Sequence, residues 1–195
     1  MCPNCARQIQ FTNFNKKVPG QDIDMTNFMK IIEYVKGHEK RVPHAQSVSI
    51  AFEGQYSDPV HHPKFLEMLK LCFEHNVTTK VQHSSSAKPH SWYVKAFKIN
   101  PIAQWCFSID GLPKDSHKYR INQDGEKLFN IMKESTKYLH VKPNWQYIIF
   151  SYNENDVPQA MKLARQIGVG FYTIQSSRWG EAFDNSYLPS KKYQI

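Results

Sequence analysis

Apolar residues along the chain fall into two alternating patterns. Five short runs rich in β-branched and aromatic residues, at 47–52, 78–82, 104–109, 145–150 and 170–174, have the length and composition of strands. Between them, apolar positions recur three and four residues apart. Met25, Phe28, Ile32 and Val35 share one helical face, as do Phe65, Met68, Leu69 and Cys72, with Pro63 placed for a first turn. Trp92, Tyr93, Ala96 and Phe97 predict a shorter helix, and Leu128, Ile131, Met132, Ser135 and Leu139 a fourth. Val157, Ala160, Met161, Ala164 and Ile167 form the clearest stripe, with Asn153 or Asn155 as cap and Gly168 as stop.

A helix followed by alternating strands and helices predicts an α/β fold built on a parallel sheet. In such folds the chemistry sits on loops after the carboxyl ends of the strands. The 195 residues fit one domain, 1–195, with no internal repeat and no linker; residues 84–89 read as a single strand-to-helix loop. The chain opens on Cys2 with no strand ahead of it, so the sheet is expected to lack its first strand.

Apolar residues make up 41% and aromatics 13%, enough for a packed core. The net charge of +8 suits an anionic partner, but the lysines and arginines are scattered, which makes a nucleic acid the lesser reading. No apolar run approaches the roughly 20 residues of a membrane helix, and no secretion leader opens the chain, so no membrane partner and a cytoplasmic location are expected.

Four cysteines are too few, in so long a chain, for a disulfide framework. Cys72 and Cys106 lie on apolar stripes and read as core residues. Cys2 and Cys5 are spaced so that one turn aims both sulfurs at a single metal or iron–sulfur cluster. His61, His62, His83 and His90 lack metal spacing and read as polar loop residues. Phe14, Trp105 and Trp145 read as packing residues, and Trp179 as the border of a substrate cleft.

The loops after the strands carry a resemblance. They hold Gly54-Gln55-Tyr56-Ser57-Asp58-Pro59 after the first strand, then Ser108-Ile109-Asp110-Gly111 and Tyr119-Arg120 after the third. Together with Cys2-Pro3-Asn4-Cys5, in this order, they resemble the radical S-adenosylmethionine superfamily, in the branch related to SPASM-type peptide-modifying maturases. The likeness runs from Met1 to about Arg178. It implies a partial (βα) TIM-like barrel. It also implies a [4Fe–4S] cluster on Cys2 and Cys5 as second and third ligands, and reductive cleavage of S-adenosylmethionine to a 5′-deoxyadenosyl radical. An electron donor follows from that chemistry, and a peptide or protein substrate follows by analogy.

By the same resemblance, Gly54, Gln55, Tyr56 and Asp58 receive the methionine ammonium, Ser108 and Asp110 meet the ribose or the methionine end, Arg120 pairs with the carboxylate, and Ile174 packs on adenine. The residues themselves also allow plainer roles: Asp58 as a helix cap, Asp110-Gly111 as a turn, Arg120 as a solvated cation.

The sequence departs from the family in three places. The first cluster cysteine would stand four positions before Cys2, Asn4 occupies a position that is often aromatic, and Gln82-His83-Ser84 replaces a Thr-Asn-Gly loop. Truncation at both ends, and impaired activity of the chain as given, are therefore expected. The rival readings are a zinc-binding structural protein using Cys2 and Cys5 and a basic nucleic-acid-binding module.

Overall fold

The computed structural model describes residues 2–5, 21–38, 48–54, 57–181 and 183–194. Phe14 lies outside them. Five strands alternate with helices: α1 (Met25–Lys36), β1 (Ser49–Phe52), α2 (Phe65–Glu74), β2 (Thr78–His83), α3 (His90–Ile99), β3 (Gln104–Ser108), α4 (Gly125–Ser135), β4 (Asn144–Ile149), α5 (Val157–Gln166) and β5 (Gly170–Gln175). The strands form one sheet in the order β1-β2-β3-β4-β5, and every neighbouring pair is parallel. The parallel sheet is the one the alternation of patterns predicts, and its arrangement is the partial TIM-like one that the resemblance implies.

Period-two alternation gives the sheet two unlike faces. In register across it, Val81 pairs with Trp105, Phe107 with Trp145, and Trp145 with Phe171. These residues pack with the helices. Trp105 is fully buried against Phe97 (centroids 4.9 Å), Phe65 (6.4 Å) and Phe107 (6.1 Å). Trp145 packs on Phe129 and Phe171, both at 5.5 Å, and donates its indole N–H to Ile109 O at 2.8 Å. A second cluster of Phe28, Ile32, Met68, Cys72 and Val77 joins α1 to α2.

The other face is polar. Gln82 Nε2 donates to Gln146 Oε1 (2.8 Å), Gln146 Nε2 to Ser108 Oγ (3.3 Å), and Tyr172 Oη to Gln146 Oε1 (3.0 Å). Cys106 sits on this face with its sulfur 3.1 Å from Tyr172 Oη. It is therefore not the core residue expected, because alternation along β3 buries Trp105 and Phe107 and turns Cys106 the other way. Cys72 is fully buried as expected.

Helix ends follow local chemistry. Asp24 accepts from Asn27 N at 2.7 Å and caps α1; Asp124 accepts from Lys127 N at 2.9 Å and caps α4. Gly168, at φ +76°, ends α5 as predicted. Three expectations shift. Pro63 precedes α2, whose N-cap is Lys64. Leu139 lies past the end of α4 yet stays buried. Asn153 does not cap α5, whose N-cap is Asp156. It is buried in the preceding loop, donating to Ile148 O at 3.0 Å and accepting from Phe150 N at 2.7 Å.

His83 also departs from expectation. It ends β2 on the helix-packed face, 2% exposed, with ring centroids 4.7 Å from Phe107 and 5.3 Å from Trp105. Neither ring nitrogen has a well-aligned hydrogen-bond partner among the described residues, though the Ser85 backbone lies close enough to favour the charged ring. Burial, working against the nearby Asp58 carboxylate, holds its pKa below the ordinary histidine value.

Two outcomes follow. Trp105→Ala should destabilise the chain by about 3–5 kcal/mol in urea unfolding, from lost burial and the cavity left behind. A depressed histidine pKa means the unfolded chain takes up its proton first. The stability contributed by neutral His83 is thus complete above the unfolded pKa of about 6.5 and falls as the pH drops below it. Urea midpoints measured from pH 7 to 5 should decline, and His83→Phe should flatten that decline.

Candidate functional site

The loops after β1, β2, β3 and β4 meet at the carboxyl end of the sheet. After β1, a Cβ on Gly54 would lie 1.8 Å from the Ser57 carbonyl oxygen, so only glycine allows this close backbone approach. Gln55 and Tyr56 lie outside the described residues. Asp58 has both carboxylate oxygens engaged. Oδ1 accepts from Val60 N at 3.2 Å and caps the short turn Pro59–His61. Oδ2 accepts from Ser84 N at 2.6 Å and Ser85 N at 3.0 Å, and so pins the loop after β2.

After β3, Ser108 is buried under Gln146. Asp110 is fully buried and reaches in two directions. Its Oδ1 accepts from the Ile148 N–H of β4 at 2.9 Å. Its Oδ2 lies 2.6 Å from Arg120 Nε, an ion pair off the ideal hydrogen-bond line. The Asp110 carbonyl accepts from Tyr152 Oη. Gly111 turns away at φ +124°. Arg120 follows the turn Pro113–Lys118, with its own N–H on Ser116 O at 3.0 Å.

Burial pushes the Asp110 carboxyl up from the ordinary range, against the pull of Arg120. Burial likewise opposes the Arg120 charge, but Asp110 and Cys2 outweigh it, and the guanidinium pKa rises. Arg120 therefore keeps its charge. Its Nε faces Asp110, and among the described residues no hydrogen bond takes up Nη1 or Nη2.

Cys2 and Cys5 are joined by a tight turn in which Cys5 N donates to Cys2 O at 3.0 Å. Burial raises the Cys2 thiol pKa, while the charge of Arg120 pulls it down and that of Asp110 pushes it up. The structure brings Asp110 and Arg120 together, and their charges act on both Cys2 and Tyr119. Asp58 belongs to the adjoining loop, through Ser84. Ile174 stands apart on β5, opposite Ile148, and 36% exposed.

Gln123 was not singled out in the sequence, and Asn4 was noted only as a departure from the family's pattern. Gln123 donates to Ser84 O at 2.5 Å and to Ser108 O at 3.0 Å, and accepts from Ser116 Oγ, tying the loops after β2 and β3 together. Asn4 is 1% exposed between the two cysteines. Neither has a local pattern that marks it. Trp179 packs against Phe150 at 6.1 Å, in a cluster with Tyr119, Tyr152 and Tyr187.

The donor set limits what the turn can hold. A [4Fe–4S] cluster of the expected type takes three thiolates, and two are present. Among the described residues, no three His, Cys, Asp or Glu side chains are grouped to hold a metal ion. The described residues do not complete a cluster site. For an anionic carboxylate the fit is better, because a largely buried, charged guanidinium offers its outer edge.

No family model matches the chain, and no curated protein matches it. Solved structures do. SuiB from Streptococcus suis shares the fold with a TM-score of 0.63 at 10% identity, over 90% of this chain and 36% of SuiB. SuiB bound to S-adenosylmethionine matches with a TM-score of 0.66 at 10% identity, over 99% of this chain and 39% of that one. The chain therefore spans well under half the length of SuiB. Among the described residues no helix is long and apolar enough to cross a membrane. What these comparisons establish is architecture: the chain has the fold of the part of SuiB that it covers, a partial (βα) TIM-like barrel.

Proposed function

We propose that this chain is the S-adenosylmethionine-binding core of a radical S-adenosylmethionine enzyme. In that class a [4Fe–4S] cluster delivers an electron to the bound sulfonium, and the 5′-deoxyadenosyl radical released begins modification of a substrate, here by analogy a peptide or protein. The observation that carries the reading is Arg120: only 14% exposed, charged, held at Nε by Asp110, and with its charge acting on the Cys2 thiol. A fold shared with a protein crystallised with S-adenosylmethionine supports it.

Each residue then has a role. Arg120 takes the methionine carboxylate on Nη1 and Nη2. Asp110, with both oxygens engaged, acts through Arg120 by fixing its orientation. The loop of Gly54, Gln55 and Tyr56 receives the ammonium on backbone carbonyls, and Asp58 holds that loop against the loop after β2. Ser108 faces the ribose and Ile174 the adenine. Cys2 and Cys5 supply two of the cluster's three thiolates, and no catalytic side chain is assigned.

Equilibrium dialysis with labelled S-adenosylmethionine tests the Arg120 assignment. Arg120→Met should weaken binding by about 10- to 100-fold, the scale of a lost charge-assisted pair. An affinity within twofold of the parent would set the reading aside. Anaerobic reconstitution with iron and sulfide should yield little 5′-deoxyadenosine from the chain as given. Robust turnover would show that two thiolates suffice. One zinc per chain without iron would favour a structural zinc site, and tight, salt-sensitive RNA binding without a cluster would favour a nucleic-acid module.

A further inference from the structure

Among the described residues no strand leads into the turn of Cys2 and Cys5. The turn is held from the other end of the chain. Asn4 uses its side-chain amide as a backbone would. Its Oδ1 accepts from Asp184 N at 2.8 Å, and its Nδ2 donates to Asp184 O at 3.0 Å and to Arg178 O at 3.4 Å. Arg178 Nη1 answers by donating to Asn4 O at 3.0 Å.

The segment that receives Asn4 is itself braced. Gly180 N donates to Asn185 Oδ1, and Asn185 Nδ2 to Gly180 O, each at 3.0 Å. Ser151 N donates to Tyr187 O at 3.0 Å, and Tyr187 Oη to Lys118 O at 3.1 Å. Residues 178–181 and 183–187 therefore link the cysteine turn to the loops after β3 and β4. Gly180, Glu181, Asp184, Asn185 and Ser186 are exposed. Trp179 against Phe150 and Tyr187 against Tyr119 anchor the segment by their rings, while its exposed residues are held by hydrogen bonds.

We propose that these residues form a strap, clamped onto the cysteine turn by Asn4, that positions Cys2 and Cys5 and controls access to their sulfurs. Asn4 is a positioning residue, and loosening its clamp changes how readily an electrophile reaches the two half-buried thiols. The inference stands whichever metal or cofactor the thiols serve, so its failure is separate from failure of the S-adenosylmethionine reading.

The test is alkylation of the reduced, metal-free chain with iodoacetamide, resolved by position through peptide mass spectrometry. Asn4→Ala should raise the labelling rates of Cys2 and Cys5 at least tenfold while buried Cys72 stays unlabelled. Arg178→Met, which opens the clamp from the strap side, should raise the same two rates, and the double variant should add little to Asn4→Ala. Rates within twofold of the parent in both single variants, with Cys72 still protected, would overturn the proposal. Should Asn4→Ala expose Cys72 and so report loss of the fold, Arg178→Met and amide exchange in the unaltered chain decide. The Asp184 N–H must then exchange slowly, and exchange at the rate of an open peptide would equally overturn it.

Discussion

The carboxyl end of the sheet depends on one buried carboxylate. Asp110 accepts the Ile148 N–H just where the β3 backbone has turned away, and faces Arg120 with its other oxygen. A side chain thus continues the ladder between β3 and β4 and delivers a cation to the strand ends in the same stroke. Neither partner is stable at that depth alone: removing one member of a buried pair costs about 3–5 kcal/mol, because the other is left uncompensated. The arginine's position is consequently as firm as the sheet itself.

The same device recurs around the site. Asp58 gathers the amides of Val60, Ser84 and Ser85; Gln123 bridges the carbonyls of Ser84 and Ser108; Asn153 folds the loop after β4 back onto Ile148 and Phe150. Each satisfies backbone groups that the strand ends would otherwise leave buried and unpaired. Loops laced in this way behave as extensions of the strands, and a bound molecule would meet preset donors and acceptors with little left to order.

Much of the architecture was legible because it rests on local periodicity. Among the described residues, all five strands and all five α-helices stand where the spacing of apolar residues puts them, within a few residues at their ends. The misplacements arise where chemistry type was read without face. Cys106 is apolar in character but shares its side of β3 with Gln104 and Ser108, and His83 looks like a loop residue until β2 is seen to run through it. The site itself was harder to see. Asp110 and Ile148 are 38 residues apart, and Asn4 and Asp184 are 180 apart, so no window of sequence holds both partners. The motifs marked which loops matter; only the folded chain pairs Asp58 with the loop after β2 and Asp110 with Arg120.

The row of Gln82, Gln146, Ser108, Tyr172 and Cys106 bears on how the polar face of the sheet lives with water. Barrel interiors of this type are ordinarily filled by branched apolar side chains. Here three strands meet through a glutamine whose carbonyl oxygen already accepts two hydrogen bonds. Gln146 and Ser108 are already withdrawn from water, 5% and 3% exposed, whereas Tyr172 and Ile174 on the same face remain 40% and 36% exposed. Covering that face would therefore bury ring and aliphatic carbon, and since apolar hydration raises the heat capacity of unfolding, the covering would leave a calorimetric trace.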